Sequence, residues 1–265
     1  MSSLVSIILP AYQAAPTIER SIQSIIAQTH INWELIICVD AATDATEQIA
    51  ITAAQNDKRI RLLLSKKNRG VVRSRNLSIR LAKGNYLAFC DADDWWDKIK
   101  LERQLSYMET NGANFCYSSA IYVSSNGSWL SRPARMPSNL DLSRLLKGNP
   151  IGLSTAIYDK RILGKLYFEK LPFPYVHEDY AYWLELFSNP SLLAVYDPFP
   201  DTFVLMDTNT RSGNKWLALK SQYYILRNKV NLSRLKAFVS ICTYLAFALY
   251  KRGWKTWLIQ WGWKN

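Results

Sequence analysis

The sequence lacks the features of a secreted or membrane-spanning protein. No lysine or arginine precedes Arg20, and the first apolar segment, Leu4 to Leu9, is shorter than the core of a signal peptide. The longest apolar segment, residues 237–250, is also shorter than the roughly 20 residues that a helix needs to cross a bilayer. We therefore expect a cytoplasmic protein.

Cysteine is also scarce. Cys38, Cys90, Cys116 and Cys242 are far apart in the chain, and no two of them have the spacing of a metal-binding motif. Disulfide bonds are uncommon in cytoplasmic proteins. We expect the cysteines to be small buried side chains, which excludes a disulfide framework and a cysteine-ligated zinc site.

Acidic residues are absent from the end of the chain. Residues 211–265 contain eleven Lys or Arg and five Trp but no Asp or Glu, whereas residues 1–210 contain 22 basic and 21 acidic residues. This asymmetry predicts a near-neutral body, residues 1–210, and a basic, aromatic, helical tail, residues 211–265. The composition of the tail suits a helix that lies on an anionic membrane surface, and the alternative is a helix packed against the body.

The body alternates short apolar strands with amphipathic helices. Predicted helices begin near Thr17, Asp44 and Val71, and Gly84 is predicted to stop the third. The predicted strands are Val5 to Leu9, Glu34 to Val39, Ile60 to Leu64, Tyr86 to Phe89, Asn114 to Val123 and Leu192 to Tyr196. This alternation predicts an α/β fold with a Rossmann-like, mostly parallel central sheet flanked by helices, followed by a C-terminal helical extension.

An acidic turn follows the fourth predicted strand, at the end of a strand where open α/β sheets bind ligands. Either Asp94 or Asp97 is explained as a cap of the next predicted helix, residues 97–108. Asp91 and Asp93 point the same way on an extended chain, so they would repel each other unless a cation or sugar hydroxyls lay between them. Such oxygen ligands suit Mg²⁺ or Mn²⁺.

A second acidic pair begins a helix further along the chain. Glu178 and Asp179 precede an apolar helical face that contains Ala181 and Leu184. Acidic residues in the first turn of a helix favour the helix dipole, which is one explanation of the pair. The other explanation is that one of the two carboxylates acts as a general base.

Four segments of the sequence together resemble the inverting glycosyltransferases of family two, which have the A-type nucleotide-sugar fold. The segments are VSIILPAYQAAPTIERSIQSIIAQT, IICVDAATDAT, NRGVVRSRN with AKGNYLAFCDADDWW, and HEDYAYWLELF. They occur in the family order over roughly residues 4–190, and four motifs in order are a far stronger signal than one DxD triplet. The tail is not part of this resemblance.

The resemblance implies a nucleotide-binding role for two of these segments. The residues that match the loop along the nucleotide are Pro10, Ala11 and Tyr12. Asp40 matches the acid that accepts a hydrogen bond from the uracil N3–H. The sequence departs from the usual pattern nearby, because Val39 replaces a common Asp, and Ala41 and Ala42 replace the common Gly-Ser. Because the motif is incomplete, the resemblance supports a uridine nucleotide less strongly than a complete match would.

The resemblance also implies how the diphosphate is held. Asn68, Gly70 and Arg75 match a loop and helix start that pack on the nucleotide and pair with the diphosphate or its surroundings. Arginine suits this role because its guanidinium binds phosphate in a bidentate manner.

The DxD motif and the Glu-Asp motif carry the chemistry in the family. Asp91, Ala92 and Asp93 match the DxD motif, whose acids bind the ribose and the divalent cation between the two phosphates, and Asp93 is our first choice as a direct Mn²⁺ or Mg²⁺ ligand. Asp179 is the expected base that removes the proton from the acceptor hydroxyl, with Glu178 as the second candidate. An inverting transfer needs one carboxylate base and a stabilised diphosphate leaving group, without a second acid.

The acceptor side is less defined in the sequence. Residues Ile151 to Thr155 are expected either to line the acceptor side of the cleft or to form a core-packing turn. Trp95 and Trp96 are candidates for stacking on a sugar face, and one of them is expected in the core.

The sequence therefore predicts a metal-dependent glycosyltransferase that moves a hexose or N-acetylhexosamine from a UDP-sugar to a hydroxyl of a lipid-linked glycan. The expected pathway class is surface polysaccharide assembly, such as O-antigen, lipooligosaccharide or capsule, and the expected location is the inner face of the cell membrane. One alternative is a polyprenyl-phosphate glycosyltransferase, which needs no strong base. The other is a nucleic-acid-binding protein, which is disfavoured because the basic tail contains no recognised binding motif.

Overall fold

Eight strands form a single mixed sheet in the computed structural model, which describes residues 3–124, 128, 138, 140–206 and 215–245. The strands are β1 (Val5–Ala11), β2 (Trp33–Asp40), β3 (Ile60–Ser65), β4 (Tyr86–Phe89), β5 (Trp95–Trp96), β6 (Phe115–Val123), β7 (Ala156–Asp159) and β8 (Ala194–Leu205). Their spatial order is β3-β2-β1-β4-β7-β6-β8-β5. The predicted α/β fold with a central sheet is confirmed.

Helices cover both faces of this sheet. They are α1 (Ile18–Ile26), α2 (Thr46–Asn56), α3 (Val71–Leu81), α4 (Lys100–Thr110), α5 (Leu142–Leu145), α6 (Lys160–Leu163), α7 (Glu178–Phe187) and α8 (Lys215–Asn228). Leu153–Thr155 form a 3-10 turn, and residues 234–245 are helical and are called here the last helix.

The two faces of the sheet bury separate apolar clusters. Along β1, Ile7 and Leu9 belong to the cluster that includes residues of α1, α2 and α4, whereas Ile8 belongs to the cluster that includes residues of α3, α7 and α8. This division follows from the alternation of side chains along a strand that is covered on both faces. Three cysteines are buried as predicted, but Cys242 is exposed, because its helix turns that face to solvent.

The strands β3, β2, β1 and β4 pair in parallel, whereas β7 is antiparallel to both β4 and β6. β1 continues past its predicted end at Leu9 and includes Pro10. The proline is tolerated because β4 pairs with β1 only from Val5 to Ile8, so no bond to β4 is lost where the N–H is missing. The carboxyl ends of β1, β2 and β4 therefore lie at the same edge of the sheet.

Two helices begin later than predicted. The helix expected from residue 97 begins at Lys100, because Trp95–Trp96 first form β5 and pair with β8. α2 begins at Thr46, with Ala45 at the N-cap position. Asp44, one residue before the N-cap, accepts a hydrogen bond from the backbone N–H of Thr46 (3.1 Å). In both cases the short acidic segment does more than start a helix. The segment before α4 contributes a strand to the sheet, and the segment before α2 forms a turn.

Gly84 was predicted to stop the third helix, and this prediction is wrong. α3 ends at Leu81, with Ala82 in an extended conformation. A Cβ at Gly84 would lie 2.6 Å from both the carbonyl oxygen of Leu4 and the backbone nitrogen of Ser6. The glycine is therefore required by the close approach of the chain to the start of β1.

The described part of the tail packs against the body. Ile225 and Leu226 of α8 and Ala237 of the last helix are fully buried in the cluster that contains α7. The Tyr224 ring stacks on Tyr175 with 4.4 Å between centroids. The boundary expected at residue 210 and the four tryptophans after residue 250 lie outside the described residues. Where the chain is described, no helix has both the length and the hydropathy to cross a bilayer.

Candidate active site

The sheet edge formed by the ends of β1, β2 and β4 opens into a cavity of about 900 Å³. The starts of α3 and α7 also line this cavity, which we call the catalytic cavity. The residues predicted for the site that line it are Pro10, Ala11, Tyr12, Asp40, Asn68, Gly70, Arg75, Asp91, Ala92, Asp93, Glu178 and Asp179. These twelve residues therefore lie together, whereas Trp95, Trp96, Ile151 and Thr155, offered for the acceptor side, do not line the cavity.

The acidic turn is held in place by Ser154 of the 3-10 turn. The Asp91 N–H donates to the Ser154 hydroxyl (3.1 Å), and this hydroxyl donates to Asp94 Oδ2 (2.5 Å). Asp94 is buried and does not cap a helix, which corrects one of the two capping alternatives, while Asp97 accepts the Ile99 N–H before α4. Asp94 also lines the catalytic cavity, but its Oδ2 is bonded to Ser154, so Asp91 and Asp93 are the candidates for binding a cation.

Two carboxyls of the turn, those of Asp93 and Asp94, have raised pKa values. Desolvation, followed by repulsion from Asp91, raises the pKa of Asp93 to about 6, although its side chain still reaches solvent. Burial, followed by the charges of Asp93 and Asp91, raises the pKa of Asp94 well above its ordinary value. The turn therefore favours a bound cation, because a positive charge would relieve the repulsion between the exposed acids.

Arg75 joins the acidic turn to α7. Its guanidinium is buried, donates to Asp91 Oδ1 (2.6 Å) and lies 3.5 Å from Glu178 Oε1. Burial opposes the charged form, but the carboxylates of Asp91 and Glu178 outweigh it and raise the pKa of Arg75. Its Nε is buried and has no hydrogen-bond partner among the described residues, so this cation keeps one free donor.

The first turn of α7 places the second acidic pair in the cavity. Asp179 Oδ2 accepts a hydrogen bond from Asn149 Nδ2 (3.0 Å). Burial, the largest influence, raises the pKa of the Asp179 carboxyl. The charge of His177 lowers this pKa and the charge of Glu178 raises it, and the net result is a raised pKa. A carboxylate with a raised pKa is a stronger base, which suits proton abstraction.

The position of α7 depends on a buried aromatic cluster. Trp183 is fully buried and makes edge-to-face contacts with Phe89 of β4 and Phe115 of β6, at centroid distances of 6.1 and 5.5 Å. Such pairs contribute roughly 0.5–1.5 kcal/mol each beyond the burial of area. His177, immediately before the helix, has a positive φ of 73°, a conformation that a residue with a Cβ adopts at a cost. The first turn is thus anchored from within the core.

The loop between β3 and α3 closes on Asp40. The carboxylate of Asp40 accepts the backbone N–H groups of Arg69 (3.0 Å) and Gly70 (2.7 Å), and Asn68 Oδ1 also accepts the Gly70 N–H (3.1 Å). Gly70 needs its glycine because φ is 89°. Because a carboxylate has about four acceptor positions, Asp40 keeps capacity for one more donor.

The donor atoms of the turn fit a metal that completes its shell with substrate oxygens. Among the described residues, no three His, Cys, Asp or Glu side chains are grouped as a complete metal site. Mg²⁺ is commonly held by one or two carboxylates together with phosphates and water, and Mn²⁺ prefers the same oxygen ligands. Asp93 and Asp91 supply two such carboxylates at the cavity wall.

The segment Ile151 to Thr155 lies partly in the core and partly at the catalytic cavity, and its place on the acceptor side stays a prediction. Ile151 is buried in the core, whereas Gly152 and Leu153 line the catalytic cavity. Trp96 is buried and its indole N–H donates to the Ser154 carbonyl (3.0 Å), so it belongs to the core. Trp95 stacks on Phe203 of β8 at 5.3 Å, the Arg20 guanidinium lies 3.4 Å from the centroid of its ring, and Trp95 does not line the catalytic cavity.

Three site residues were not predicted in the roles that the structure shows. Ser154 orients the acidic turn, Asn149 bonds to the expected base, and His177 adopts the strained conformation before α7. Ser154 lies in the predicted acceptor segment, but nothing in the sequence connects it with Asp91. Asn149, in an Asn-Pro pair before Ile151, carries only a turn signal.

Comparison with known proteins identifies similar chains. The family model described as Glycosyl transferase family 2 matches residues 6–170. The UDP-Glc:alpha-D-GlcNAc-diphosphoundecaprenol beta-1,3-glucosyltransferase WfgD of Escherichia coli is 34% identical over 227 residues, covering 84% of this chain and 85% of WfgD. TuaG of Bacillus subtilis (strain 168), named for teichuronic acid biosynthesis, is 31% identical over 249 residues, covering 94% and 97%.

A solved structure shares the same architecture. S. aureus TarS 1-349, in complex with UDP-GlcNAc, matches with a TM-score of 0.70 at 17% identity, covering 92% of this chain and 72% of the TarS chain. At this identity the likeness establishes a common fold and carries nothing about the ligand.

Proposed function

The chain belongs to glycosyltransferase family 2 and has the A-type fold, and on this premise we propose that it transfers a hexose or N-acetylhexosamine from a UDP-sugar to a hydroxyl of a lipid-linked glycan. WfgD, which is similar over most of both chains, is named for transfer from UDP-Glc to a GlcNAc-diphosphoundecaprenol. TuaG is named for synthesis of a surface polymer. These names support a place in surface polysaccharide assembly.

One observation carries the proposal: buried Arg75 bonds to Asp91 of the acidic turn and lies beside Glu178 at the start of α7. An acid of the turn expected to hold the donor diphosphate and the helix start that carries Asp179, the expected base, are thus fixed to the same side chain. An in-line displacement needs this arrangement, since the nucleophile and the leaving group must lie on opposite sides of one anomeric carbon.

Each of the site residues has a separate role in the proposed reaction. Asp179 accepts the proton of the acceptor hydroxyl while the acceptor oxygen bonds to the anomeric carbon, and the bonding electrons of the donor leave with the UDP oxygen. Arg75 supplies a fixed positive charge beside the departing diphosphate. A Mn²⁺ or Mg²⁺ ion held by Asp93 and Asp91 would neutralise charge on the same diphosphate.

The environment of Asp179 favours a hydroxyl acceptor over a phosphate acceptor. A phosphate is already ionised at neutral pH and needs no base, so a polyprenyl-phosphate glycosyltransferase has no use for a desolvated carboxylate there. The raised pKa of Asp179 and its hydrogen bond from Asn149 instead suit an oriented base. Family membership leaves the nucleic-acid alternative without support.

The last helix supports a peripheral association with an anionic membrane. On one face of this helix, exposed apolar residues recur at helical spacing and are Leu235, Phe238, Val239, Cys242 and Leu245, whereas Tyr244, also exposed, lies on another side beside Gly148. Arg234 and Lys236 lie beside this face and are exposed. Because Ala237 on another side of the helix is buried, one side packs on the protein while the other is available to lipid. A lipid-linked acceptor would be reached from such a position.

A donor screen with the full-length protein tests the proposal. Purified protein is incubated with Mn²⁺, a GlcNAc-diphosphoryl lipid and each member of a panel of UDP-sugars, and UDP release is measured together with the glycosylated lipid. We expect one or two UDP-sugars to support transfer. UDP release that does not depend on any acceptor, or transfer only to a lipid phosphate, would contradict the proposed function.

A further inference from the structure

A second cavity adjoins the catalytic cavity. Its volume is about 1000 Å³, and it shares Gly70, Val71 and Glu178 with the first cavity. The remaining lining comes from one face of α3 and from the segment between residues 168 and 175. Neither the donor-binding residues nor the expected base explains this second space, which we call the basic groove.

One wall of the basic groove is a cationic face of α3. Arg73, Asn76, Leu77 and Arg80 follow the helical spacing that places residues on one face, and Arg69 precedes the helix on the same side. Arg73 and Arg80 are two turns apart, which is roughly 10 Å along the axis. This wall therefore presents a row of guanidinium groups to the groove.

The other wall adds a cation and aromatic side chains. Lys170 is exposed and lines the groove, together with Phe168, Phe173 and Tyr175. Phe173 is 97% exposed, which is unusual for a phenylalanine beside a row of charges. Tyr175 stacks on Tyr224 of α8, so this end of the groove adjoins the C-terminal helices.

The two walls are fastened together by Asn76. Its side-chain amide donates to the Phe168 carbonyl and accepts the Phe168 N–H, both at 2.8 Å. The groove is thus a built feature between α3 and the 168–175 segment, and its cations have a fixed relation to Glu178 at the junction with the catalytic cavity.

The cations of the groove are not neutralised by the protein. Arg69, Arg73, Arg80 and Lys170 are exposed, and none of them forms an ion pair with any residue that the structure describes. The one carboxylate that lines the groove, Glu178, lies against Arg75. Isolated exposed arginines are commonly only solvated, but four unpaired cations that converge on one concave surface favour a multiply charged anion.

We propose that the basic groove binds the diphosphate of the acceptor lipid, and this assignment rests on the proposed function. The acceptor sugar then extends past Glu178 to Asp179, and the lipid chain leaves along Phe173 and Tyr175 towards the exposed face of the last helix. A diphosphate diester carries about two negative charges, which suit paired arginines because each guanidinium binds phosphate oxygens in a bidentate manner. The groove would select acceptors by their diphosphate.

Paired charge removal tests the assignment. The full-length double variant Arg73→Gln with Arg80→Gln is compared with Lys58→Gln with Lys98→Gln, whose lysines are exposed and line neither cavity. We expect the KM for a GlcNAc-diphosphoryl lipid to rise about 100-fold or more in the groove variant, since each charge-assisted contact is worth about tenfold or more. The KM for the UDP-sugar should change less than twofold, and the control pair should match the wild type.

A binding experiment separates the sources of phosphate. With saturating UDP in the catalytic cavity, inorganic pyrophosphate should bind the wild type and lose at least tenfold in affinity in the groove variant, whereas co-sedimentation with anionic vesicles lacking acceptor should not change. An unchanged acceptor KM, or a loss confined to vesicle binding, would overturn the assignment. If the wild type glycosylates no diphospholipid at all, the proposed function is contradicted independently of the groove. In that case the groove assignment depends on pyrophosphate binding, and equal affinities of the wild type and the groove variant would overturn it as well.

Discussion

The two halves of the sheet place their functional side chains by different means. In the parallel half, Asp40 is the last residue of β2 and Asp91 lies two residues after the end of β4, so each lies at the edge where its strand ends. In the other half, Asp179 comes from a loop and helix start whose position depends on Trp183 in the core. On the proposed assignment, strand order determines the position of the donor side and core packing determines that of the acceptor side. Substitutions on the two sides should fail in different ways.

Asp93→Asn is expected to cause the largest loss, on the donor side. The amide keeps the shape but removes the charge that a hard cation needs, so metal-dependent transfer should fall by about 10³-fold or more. Initial rates are measured over a range of Mn²⁺ concentrations at saturating donor. Asp97→Asn, next to the turn but on the helix side, serves as the control and should retain transfer. A wild-type rate that still requires Mn²⁺ would remove Asp93 from the ligand role.

Asp179→Asn should separate the acceptor side from the donor side. Loss of a base that acts in the transition state lowers kcat by about 10²- to 10³-fold and leaves UDP affinity within twofold. Glu178→Gln provides the matched comparison and should reduce kcat less if Asp179 is the base. Calorimetric UDP binding and steady-state kinetics give the two quantities, and an equal loss of UDP affinity in the Asn variant would move Asp179 to the donor side.

The pH profile sharpens the same assignment. The base works when ionised, and burial raises the pKa of Asp179, so kcat should fall as pH is lowered through a pKa above the ordinary value of 3.8. Below that pKa the rate should fall about tenfold per pH unit. The profile is recorded at saturating Mn²⁺ and donor, because a bound cation keeps Asp93 ionised. The acidic limb should disappear in Asp179→Asn, and its persistence there would assign it to another group.

Substitutions on the exposed face of the last helix are expected to have a smaller effect, which is on membrane binding. Phe238→Ser with Val239→Ser should lower partitioning onto anionic vesicles by about tenfold or more, because burial of each such side chain contributes roughly 1.5–3 kcal/mol. Ile31→Ser removes an exposed apolar side chain of the body and should leave partitioning unchanged. Co-sedimentation at low and high salt measures both. Wild-type protein that stays in the supernatant at low salt would contradict a membrane location.

The smallest effect concerns the backbone after β2. Ala41 has a φ of 55°, where a Cβ is strained, so Ala41→Gly should raise the free energy of unfolding by about 0.5–1 kcal/mol after the entropy of glycine in the unfolded chain is counted. Ala42→Gly, at an adjacent residue without a positive φ, should lower it by a similar amount. Urea unfolding measures both changes. Equal destabilisation by the two glycines would show that Ala41 is not strained.

The same contrast explains what the sequence could predict. A run such as Tyr86 to Phe89 followed by acids identifies both a strand and a site residue, because the chain reverses at the sheet edge in every such unit. β5 was missed because two residues are too short to show an alternating pattern. Asp94 was one of two candidates for a helix cap, because its partner, Ser154, is distant in the chain.

The basic groove could not be predicted from the sequence for a related reason. The spacing of Arg73 and Arg80 places them on one face of a helix, and an exposed basic face usually needs no partner. Only the tertiary contact of Asn76 with Phe168 shows that this face forms the wall of a groove. Features that depend on one helix and one distant loop leave no pattern that periodicity can reveal.

Under the proposed function, the bridge made by Arg75 makes the binding of the two substrates energetically dependent on each other. One rigid guanidinium bonds to Asp91 and faces Glu178, so a ligand that draws charge from either carboxylate alters the electrostatic field at the other. Coupling free energy is reciprocal, and the factor by which the donor changes acceptor affinity must equal the factor by which the acceptor changes donor affinity. Measured in a double titration, that common factor should approach one when Arg75 is replaced by glutamine.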